Sequence, residues 1–521
     1  MGPMSRLKGA DASFLYMENP VVHMHVSGVM ILDPSTMEGG YSFERFRDHV
    51  VERLHLIPMF RHRLLRVPLG IDHPVMVDDP NFDLDAHLHR HRLRAPGRMA
   101  ELALFVGNHA SEPLDQSRPL WDMVVVEGVE GDRIALVTKM HHVAVDGVTG
   151  TDLMAHLVDL TPEPGPPRSE PVPFHPRRLP SSLRLMADAV VSRAMDPLRV
   201  FRSFGRAAAS VGRLSQAVFG DDDAALMARP FDAPRTFFNH SLTPRRSVAF
   251  ATAALEDCKF VKNVFGTTVN DVFLAACSQA LRGYMAERGD VPRRPLLASV
   301  PVSVHGQTAE TGAVNQVSDM FVRLPTDLAD PVEQLRSVQL ETRDAKEAHG
   351  AIGADMIGDV TELTPPALFN LASRLYSRAG LAERLAPIQN VVISNVPGSP
   401  IPLYVAGARL EGVYPFGPLI EGAGLNITVL STMGNMDIGV IACPDIAPDV
   451  EDLADGIVAG IAALRAAAEE ELARRESTAD ADVDVDVDAG ADAGGDADAD
   501  DDADDDADDD AGAELPEGTP R

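Results

Sequence analysis

Cysteine and tryptophan are scarce in this sequence, whose 521 residues include three cysteines and one tryptophan. Cys258, Cys277 and Cys443 are too few and too widely spaced for a disulfide framework or a cysteine-rich zinc site. Their small number favours a reducing, cytoplasmic compartment. No apolar run reaches the roughly 18 residues of a membrane-spanning helix, and no apolar signal segment follows the basic residues of the N-terminus. We therefore expect a soluble or peripheral protein.

The motifs of several common enzyme classes are also absent. The sequence contains no GxGxxG, no GxxxxGK[ST], no GxSxG and no HExxH pattern. Hydride transfer, nucleotide hydrolysis and serine-hydrolase chemistry therefore lack their usual sequence support. None of the cysteines lies in a local motif that favours an acyl-enzyme intermediate.

Basic residues are in the minority, with 46 Lys and Arg against 78 Asp and Glu. Nineteen of the acidic residues lie in 477–521, which leaves 59 acidic and 45 basic residues in 1–476. This acidic balance argues against general binding of nucleic acid. The Asp/Ala-rich tail, 477–521, has no aromatic residue and cannot bury enough apolar surface to offset chain entropy. We expect this tail to be disordered.

A proline-rich stretch separates two halves of the chain. Eight of the twenty residues in 161–180 are proline, a composition that excludes a packed helix or sheet. Residues 175–220 then hold eight arginines and only two aspartates, with apolar residues between them. That spacing predicts a basic amphipathic helix. It could be a linker helix packed on an acidic body, or it could contact an anionic lipid surface.

Strand and helix signals are mixed on both sides of this stretch, so we predict a mixed α/β protein. The expected organisation is an N-terminal half at 1–160, a connector at 161–230, a C-terminal half at 231–476 and the tail. The expected strands are 24–32, 123–129, 133–140, 246–253, 296–304, 391–395, 425–432 and 436–442, and the expected helices are 41–56, 148–160, 269–284 and 449–471.

The strongest chemical signal is His141-His142-Val143-Ala144-Val145-Asp146-Gly147, between a predicted strand and a predicted helix. Adjacent histidines on an extended chain point to opposite faces, so they cannot easily ligate one metal ion, and we expect none. One should face inward and the other a cavity. Histidine suits proton transfer near neutral pH. Asp146 is a short acid beside Gly147, which allows a tight turn, and it can hold the loop.

The HHxxxDG pattern of 141–147 resembles the active-site motif of the CoA-dependent acyltransferase superfamily. Further segments, in order over roughly residues 5–470, resemble motifs of one of its families, the bacterial wax ester synthase/diacylglycerol acyltransferases. They are DASFL at 11–15 with Glu18, PLW at 119–121, NDVFLA at 270–275, VPVSV at 300–304, NQVS at 315–318 and SNVPG at 394–398.

This resemblance implies a two-domain α/β fold of the chloramphenicol acetyltransferase type, with mixed sheets and an active-site tunnel between the halves. It implies transfer of a fatty acyl group from acyl-CoA to diacylglycerol or a long-chain alcohol, without a separate cofactor, at a membrane or lipid-droplet surface. The expected catalytic residues are His142 as general base, His141 as support for the loop, and Asp146 with Gly147 shaping the bend. The expected substrate-binding residues are Asn270, Trp121, Ser394 and Asn395, of which Asn270 is also a candidate oxyanion donor beside backbone amides.

Each of these motifs also has a purely structural interpretation. Trp121 could be a core anchor, Asn270 could cap a helix, and the segment 394–398 could be only a turn. Arg245 and Arg246 could form a solvated strand edge or contact CoA phosphates.

Two alternatives to the expected function stay open. The same fold could acylate a polyketide-type alcohol or an amine. The chain could also be a weakly active coat protein of lipid inclusions, although an intact HHxxxDG motif argues against this.

Overall fold

The computed structural model describes residues 5–145, 155–163, 174, 178–194, 232–303, 317–352, 374–377 and 379–489. The chain divides into two compact units, Met1–Glu469 and Glu470–Arg521. All of the strands among the described residues lie in the first unit. In chain order they are β1 Ser5–Arg6, β2 His25–Asp33, β3 His62–Leu65, β4 Val75–Asp78, β5 Leu88–Arg92, β6 Trp121–Val129, β7 Arg133–His141, β8 Ser247–Ala254, β9 Leu296–Ser303, β10 Val317–Leu324, β11 Val391–Pro397, β12 Tyr404–Val405, β13 Ala408–Phe416, β14 Leu425–Thr432 and β15 Asn435–Ala442.

The helices are interspersed among these strands. They are α1 Gly9–Met17, α2 Phe43–Arg53, α3 Met99–Ser111, α4 His142–Val145, α5 Ser182–Ala194, α6 Leu255–Phe265, α7 Val269–Ala286, α8 Pro331–Ile352, α9 Leu381–Arg384 and α10 Val450–Ala489.

The first large sheet has six strands in the order β12-β13-β2-β7-β6-β5, all antiparallel except the β5–β6 pair. Its central strands are apolar on both faces because each face is covered by a helix. Val125 of β6 packs in one core with Phe46 of α2, whereas the next residue, Val126, packs in another core with Val106 of α3. Alternation along the strand thus separates the two layers.

The second large sheet also has six strands, in the order β10-β9-β11-β14-β15-β8. The β9–β11 and β11–β14 pairs are parallel and the others antiparallel, so this sheet is mixed as well. Helices α7 and α10 pack in its core through very small residues. A Cβ atom on Gly456 would lie 3.2 Å from the Cβ of Ala280, and one on Gly460 would lie 3.1 Å from the carbonyl oxygen of Ala276. This close approach explains why α10 is rich in alanine and glycine.

The two halves of the chain share the first sheet. Strand β13 pairs with β2 from Arg409 opposite Asp33 to Phe416 opposite Ser27, with a bulge between Leu410 and Gly412. The resemblance implied a two-domain fold with mixed sheets, and it did not indicate that the C-terminal half supplies two strands, β12 and β13, to the first sheet. No sequence signal marked this exchange.

Arg246 forms a second connection between the halves. Its backbone N–H donates to the Ser111 hydroxyl at the end of α3, 2.8 Å away, and its guanidinium donates to the carbonyl oxygens of Val21, Thr243 and Arg245. Arg246 is buried, so the prediction of a solvated strand edge is wrong for this residue. Its donors are taken up by carbonyl oxygens, whereas the neighbouring Arg245 pairs with Asp445 at 2.7 Å.

The predicted strands and helices that fall on described residues are present, with ends shifted by a few residues. The exception is the last helix, which was expected to end at Glu471 but continues to Ala489. Alanine costs least in a helix, and Arg475 pairs with Glu471 one turn earlier, so the first residues of the predicted tail remain helical. Three stretches lie outside the described residues: 490–521, most of the connector 161–230, and 148–154 of the predicted helix. The bounds of the four predicted segments stay predictions.

Candidate active site

The two histidines of the HHxxxDG motif lie where β7 meets α4. His141 is the last residue of the strand and His142 the first of the helix. His141 is fully buried, whereas His142 is only partly buried. The expectation that one histidine faces inward therefore holds for His141. Asp146 and Gly147 lie outside the described residues, and their roles stay predictions.

Three backbone hydrogen bonds fix this junction. The His141 N–H donates to the carbonyl oxygen of Leu120 at 3.0 Å, and the His142 N–H donates to that of Met24 at 2.9 Å. The Val143 N–H donates to Nδ1 of the His141 ring at 3.1 Å. Leu120 is the middle residue of the PLW segment, so that segment supports the histidine pair through its backbone.

Helix α1 contacts both histidines. The ring of Phe14 stacks on the ring of His142, with centroids 3.9 Å apart. Oε2 of Glu18, which ends the helix, lies 3.6 Å from Nε2 of His141, and the Gln116 side-chain amide donates to the same carboxylate. Phe14 and Glu18 belong to the DASFL segment and the glutamate that follows it. This segment resembles a motif of the family, but the sequence did not indicate a function for it.

The surroundings of His141 are buried and polar. Its ring lies edge-on to His25, with centroids 6.2 Å apart. Burial lowers the pKa of His25 well below its ordinary value, and its closeness to His141 and Lys139 lowers that pKa further. The neutral ring of His25 accepts a hydrogen bond from the Leu114 N–H at 3.3 Å. This environment favours the neutral form of His25.

A second group of predicted site residues lies in the second sheet. The Asn395 side-chain amide of β11 donates to Oδ1 of Asn270, at the start of α7, over 3.4 Å. Both asparagines and the neighbouring Ser394 are partly buried. The structure thus brings together the NDVFLA and SNVPG segments, which are more than a hundred residues apart in the chain.

Asn270 does not cap helix α7, contrary to one interpretation of the sequence. The cap is Thr268, whose hydroxyl accepts from the Asp271 N–H, while the Asp271 carboxylate accepts from the Thr268 N–H. This reciprocal pair is a capping box. Asp271 also accepts from the Thr342 hydroxyl at 2.7 Å, which ties α7 to α8. The sequence signal for Thr268 was the Thr-x-x-Asp spacing.

Trp121 lies in the core beside α2. Its side chain is buried, its indole N–H donates to the carbonyl oxygen of Phe60 at 2.9 Å, and its ring lies between those of Phe60 and His87. Because its only donor is bonded and both ring faces are covered, this environment favours the core-anchor interpretation over substrate contact.

The segment 394–398 is not a turn. Residues Ser394 to Pro397 continue β11 alongside β14. The chain leaves the sheet at Gly398, where an added Cβ atom would lie 2.6 Å from Leu430 Cδ2 and 2.7 Å from the Ser431 carbonyl oxygen. Glycine is required there by close approach.

Solved structures place the protein in a fold class. The structure of a wax ester synthase/diacylglycerol acyltransferase from Marinobacter aquaeolei VT8 superimposes with a TM-score of 0.64 and 29% identity, over 89% of this chain and all of that one. A trichothecene 15-O-acetyltransferase from Fusarium sporotrichioides superimposes with a TM-score of 0.53 and 11% identity, over 88% of this chain and 94% of that one. The two mixed sheets are those of the chloramphenicol acetyltransferase-like acyltransferases.

Sequence comparisons then identify the family. The model of the wax ester synthase/diacylglycerol acyltransferase catalytic domain matches residues 7–273, and that of the WS/DGAT C-terminal domain matches 313–465. Two Mycobacterium tuberculosis proteins that are similar to this chain are provisionally named diacylglycerol O-acyltransferases. One is 39% identical over 87% of this chain and 88% of its own length, and the other is 36% identical over 84% of this chain and 91% of its own length. The chain belongs to the wax ester synthase/diacylglycerol acyltransferase family and is an acyltransferase.

Proposed function

We propose that this protein transfers a fatty acyl group from acyl-CoA to the hydroxyl of diacylglycerol, of a long-chain alcohol, or of both. The observation that carries the proposal is the placement of His142 at the β7–α4 junction, held by Met24 and stacked on Phe14. The names of the similar proteins support both acceptors, since the Marinobacter protein is named for both activities and the mycobacterial ones for diacylglycerol.

In the proposed mechanism, the imidazole of His142 takes the proton of the acceptor hydroxyl while the oxygen attacks the thioester carbonyl carbon. The new C–O bond forms a tetrahedral oxyanion. When this intermediate collapses, the C–S bond breaks and His142 returns the proton to the CoA sulfur. A thioester is already activated, so acyl-CoA serves as a substrate and no separate cofactor is needed.

The tetrahedral oxyanion needs hydrogen-bond donors that are already in position. We assign Asn270 and Asn395 to the substrate-binding wall, with the Asn270 amide as one donor and backbone amides as others. The hydrogen bond between the two side chains supports this assignment because it orients both amides. Ser394 lies beside them on β11. We further propose that His141 supports the loop and that Asp146 with Gly147 shapes the bend.

The products, triacylglycerol or wax ester, are apolar, so we propose that the enzyme works at a membrane or lipid-droplet surface. Helix α5 supports this location because it exposes apolar side chains, Leu183, Val190 and Val191, beside the basic Arg184. Such a helix suits the boundary between lipid headgroups and acyl chains. Among the described residues, no helix is long and apolar enough to span a bilayer.

The experiment that tests the proposal measures CoA thiol released from palmitoyl-CoA, with dioleoylglycerol and hexadecanol offered separately. Wild type is compared with His142→Ala and with His55→Ala, a partly buried histidine after α2, as the matched control. We expect thiol release to require an alcohol, to persist in the control and to fall at least 100-fold in His142→Ala, because general-base catalysis contributes about 10²–10⁴-fold.

Other outcomes identify the alternatives. An active His142→Ala variant would remove the general-base assignment. A wild-type protein that is silent with both alcohols but releases thiol with an amine or a polycyclic alcohol would have a different acceptor. A protein that binds lipid vesicles equally well with and without His142, and never releases thiol, would be a coat protein.

A further inference from the structure

Phe14 and Glu18 lie on one face of helix α1. The four-residue spacing places their side chains one above the other, and the Glu18 N–H donates to the Phe14 carbonyl oxygen at 3.1 Å. From this face Phe14 stacks on His142, and the Glu18 carboxylate lies 3.6 Å from His141 Nε2. Two consecutive histidines are therefore contacted by two consecutive turns of one helix.

The hydrogen bond at Nδ1 of the His141 ring defines its tautomer. Nδ1 accepts the Val143 N–H at 3.1 Å, so this nitrogen carries a lone pair and, in the neutral ring, the proton lies on Nε2. Nε2 is the nitrogen that faces the Glu18 carboxylate. An acceptor at this position favours the Nε2–H tautomer and disfavours its alternative, in which Nδ1–H would meet the Val143 N–H.

The side chain of Glu18 is held by polar contacts on the side away from His141. Its side chain is only 9% exposed, and a buried carboxylate needs donors to offset the loss of water. The Gln116 amide donates to it, and the Gln116 side-chain oxygen in turn accepts from Arg66 at 2.7 Å. A chain of polar contacts thus runs from Arg66 at the surface to the first turn of α4.

We propose that Glu18 is a positioning residue for the acyl transfer reaction. Glu18 selects the Nε2–H tautomer of His141, so that Nδ1 is free of a proton and accepts from the Val143 N–H. This hydrogen bond fixes the first turn of α4, which begins at His142. Phe14 holds the face of the His142 ring from the same helix. The inference rests on the proposed role of His142 as the general base.

The kinetic test compares Glu18→Ala and Glu18→Gln with Glu38→Ala, an exposed glutamate elsewhere in the same half. We expect Glu18→Ala to lower kcat for thiol release at least tenfold while KM for palmitoyl-CoA changes less than twofold. Glu18→Gln should lower kcat less, about threefold, because its amide oxygen can still place partial negative charge opposite Nε2–H. If Glu18 acts through His141, the double variant Glu18→Ala/His141→Asn should have a kcat no lower than that of the slower single variant.

A spectroscopic test does not depend on activity. In ¹⁵N-histidine-labelled protein, the side-chain signals that disappear in His141→Asn identify His141, and their pattern reports the tautomer. We expect Nε2–H in wild type and a mixed or inverted pattern in Glu18→Ala, while far-ultraviolet circular dichroism stays unchanged.

The kinetic and spectroscopic measurements distinguish failure of the Glu18 proposal from failure of the proposed His142 role. An Nδ1–H tautomer in wild type, or an unchanged tautomer and kcat in Glu18→Ala, would overturn the positioning role. An active His142→Ala variant together with an Nε2–H tautomer that depends on Glu18 would retain the contact between Glu18 and His141 and remove only the general-base role of His142.

Discussion

The ring of His142 lies nearly flat against the ring of Phe14, with centroids 3.9 Å apart and planes inclined by 23°. Stacked pairs of this kind contribute about 0.5–1.5 kcal/mol beyond the area that they bury. Phe14 is fixed in turn, because Ala12 and Leu15 of the same helix pack with Leu120 and Val143. The orientation of the proposed base therefore depends on an N-terminal helix.

Replacing Phe14 by leucine should lower kcat about 2–10-fold. The substitution keeps an apolar side chain but removes the stacked ring, and 1.36 kcal/mol corresponds to a factor of ten in rate. Phe14→Tyr keeps the ring and should retain most of the rate. Thiol release at saturating palmitoyl-CoA measures kcat for the two variants, and the midpoint of thermal unfolding checks that they are folded. Equal kcat values for Phe14→Leu and wild type would show that the stacked ring does not orient His142.

Thr268 and Asn270 should affect different properties although they are two residues apart. Thr268→Ala removes the N-cap of α7 and should cost about 0.5–2 kcal/mol of stability with kcat nearly unchanged. Asn270→Ala leaves the cap intact and should lower kcat about 10–100-fold at nearly unchanged stability, since removal of an oxyanion donor has effects of that order or greater. Denaturant midpoints and kcat measured on both variants check this division. The assignment of Asn270 fails if its variant loses stability rather than rate.

Gly398→Ala should destabilise the protein by about 1–3 kcal/mol, because the new methyl group would press on Leu430 and on the fixed carbonyl oxygen of Ser431. Gly283→Ala is the matched control. No heavy atom lies within 4 Å of a Cβ there, and in the exposed interior of α7 alanine should stabilise by up to about 1 kcal/mol. Thermal unfolding of the two variants should shift in opposite directions, and a neutral Gly398→Ala would contradict the close approach.

Asp437 should make stability decrease as pH rises. Its carboxylate is buried between β15 and β13, where it accepts from the Val413 N–H at 2.9 Å, and burial raises its pKa to about 6 from the ordinary 3.8. The folded state therefore holds its proton more tightly than the unfolded state. This preference contributes stability that is fully present below pH 3.8 and is lost by about pH 6.

Between pH 5 and pH 7.5 we expect the wild type to lose about 1 kcal/mol more stability than Asp437→Asn, which has no proton to lose. Urea midpoints at the two pH values measure this difference. Asp48→Asn, at an exposed position of α2, should behave as the wild type does. Parallel pH profiles for wild type and Asp437→Asn would show that the carboxyl titrates normally.

Sequence patterns located about half of the individual elements. Strand β14 has the bounds expected from its apolar run, and β6 and β7 follow from two apolar runs separated by Glu130-Gly131-Asp132, because local alternation and turn residues specify such a hairpin. His141 and His142 were found through their motif, and strand geometry predicted that one of them faces inward, as His141 does.

Contacts between distant segments could not be predicted in the same way. Arg246 was expected at a solvated edge, since nothing in its neighbours shows that carbonyl oxygens of Val21 and Thr243 converge on it. The role of Glu18 likewise depends on a meeting of α1, Gln116 and the end of β7. Such side chains are fixed by tertiary packing, which a single sequence does not reveal.

The pairing of β13 with β2 has a consequence for synthesis of the chain. Ser27 meets its partner Phe416 only after nearly 390 further residues have been translated, and contacts so distant in sequence form slowly. Until then β2 presents an open row of backbone donors and acceptors, a template for pairing with other chains. We therefore expect the newly made N-terminal half to need protection from aggregation, and a version truncated before residue 404 to accumulate as aggregate.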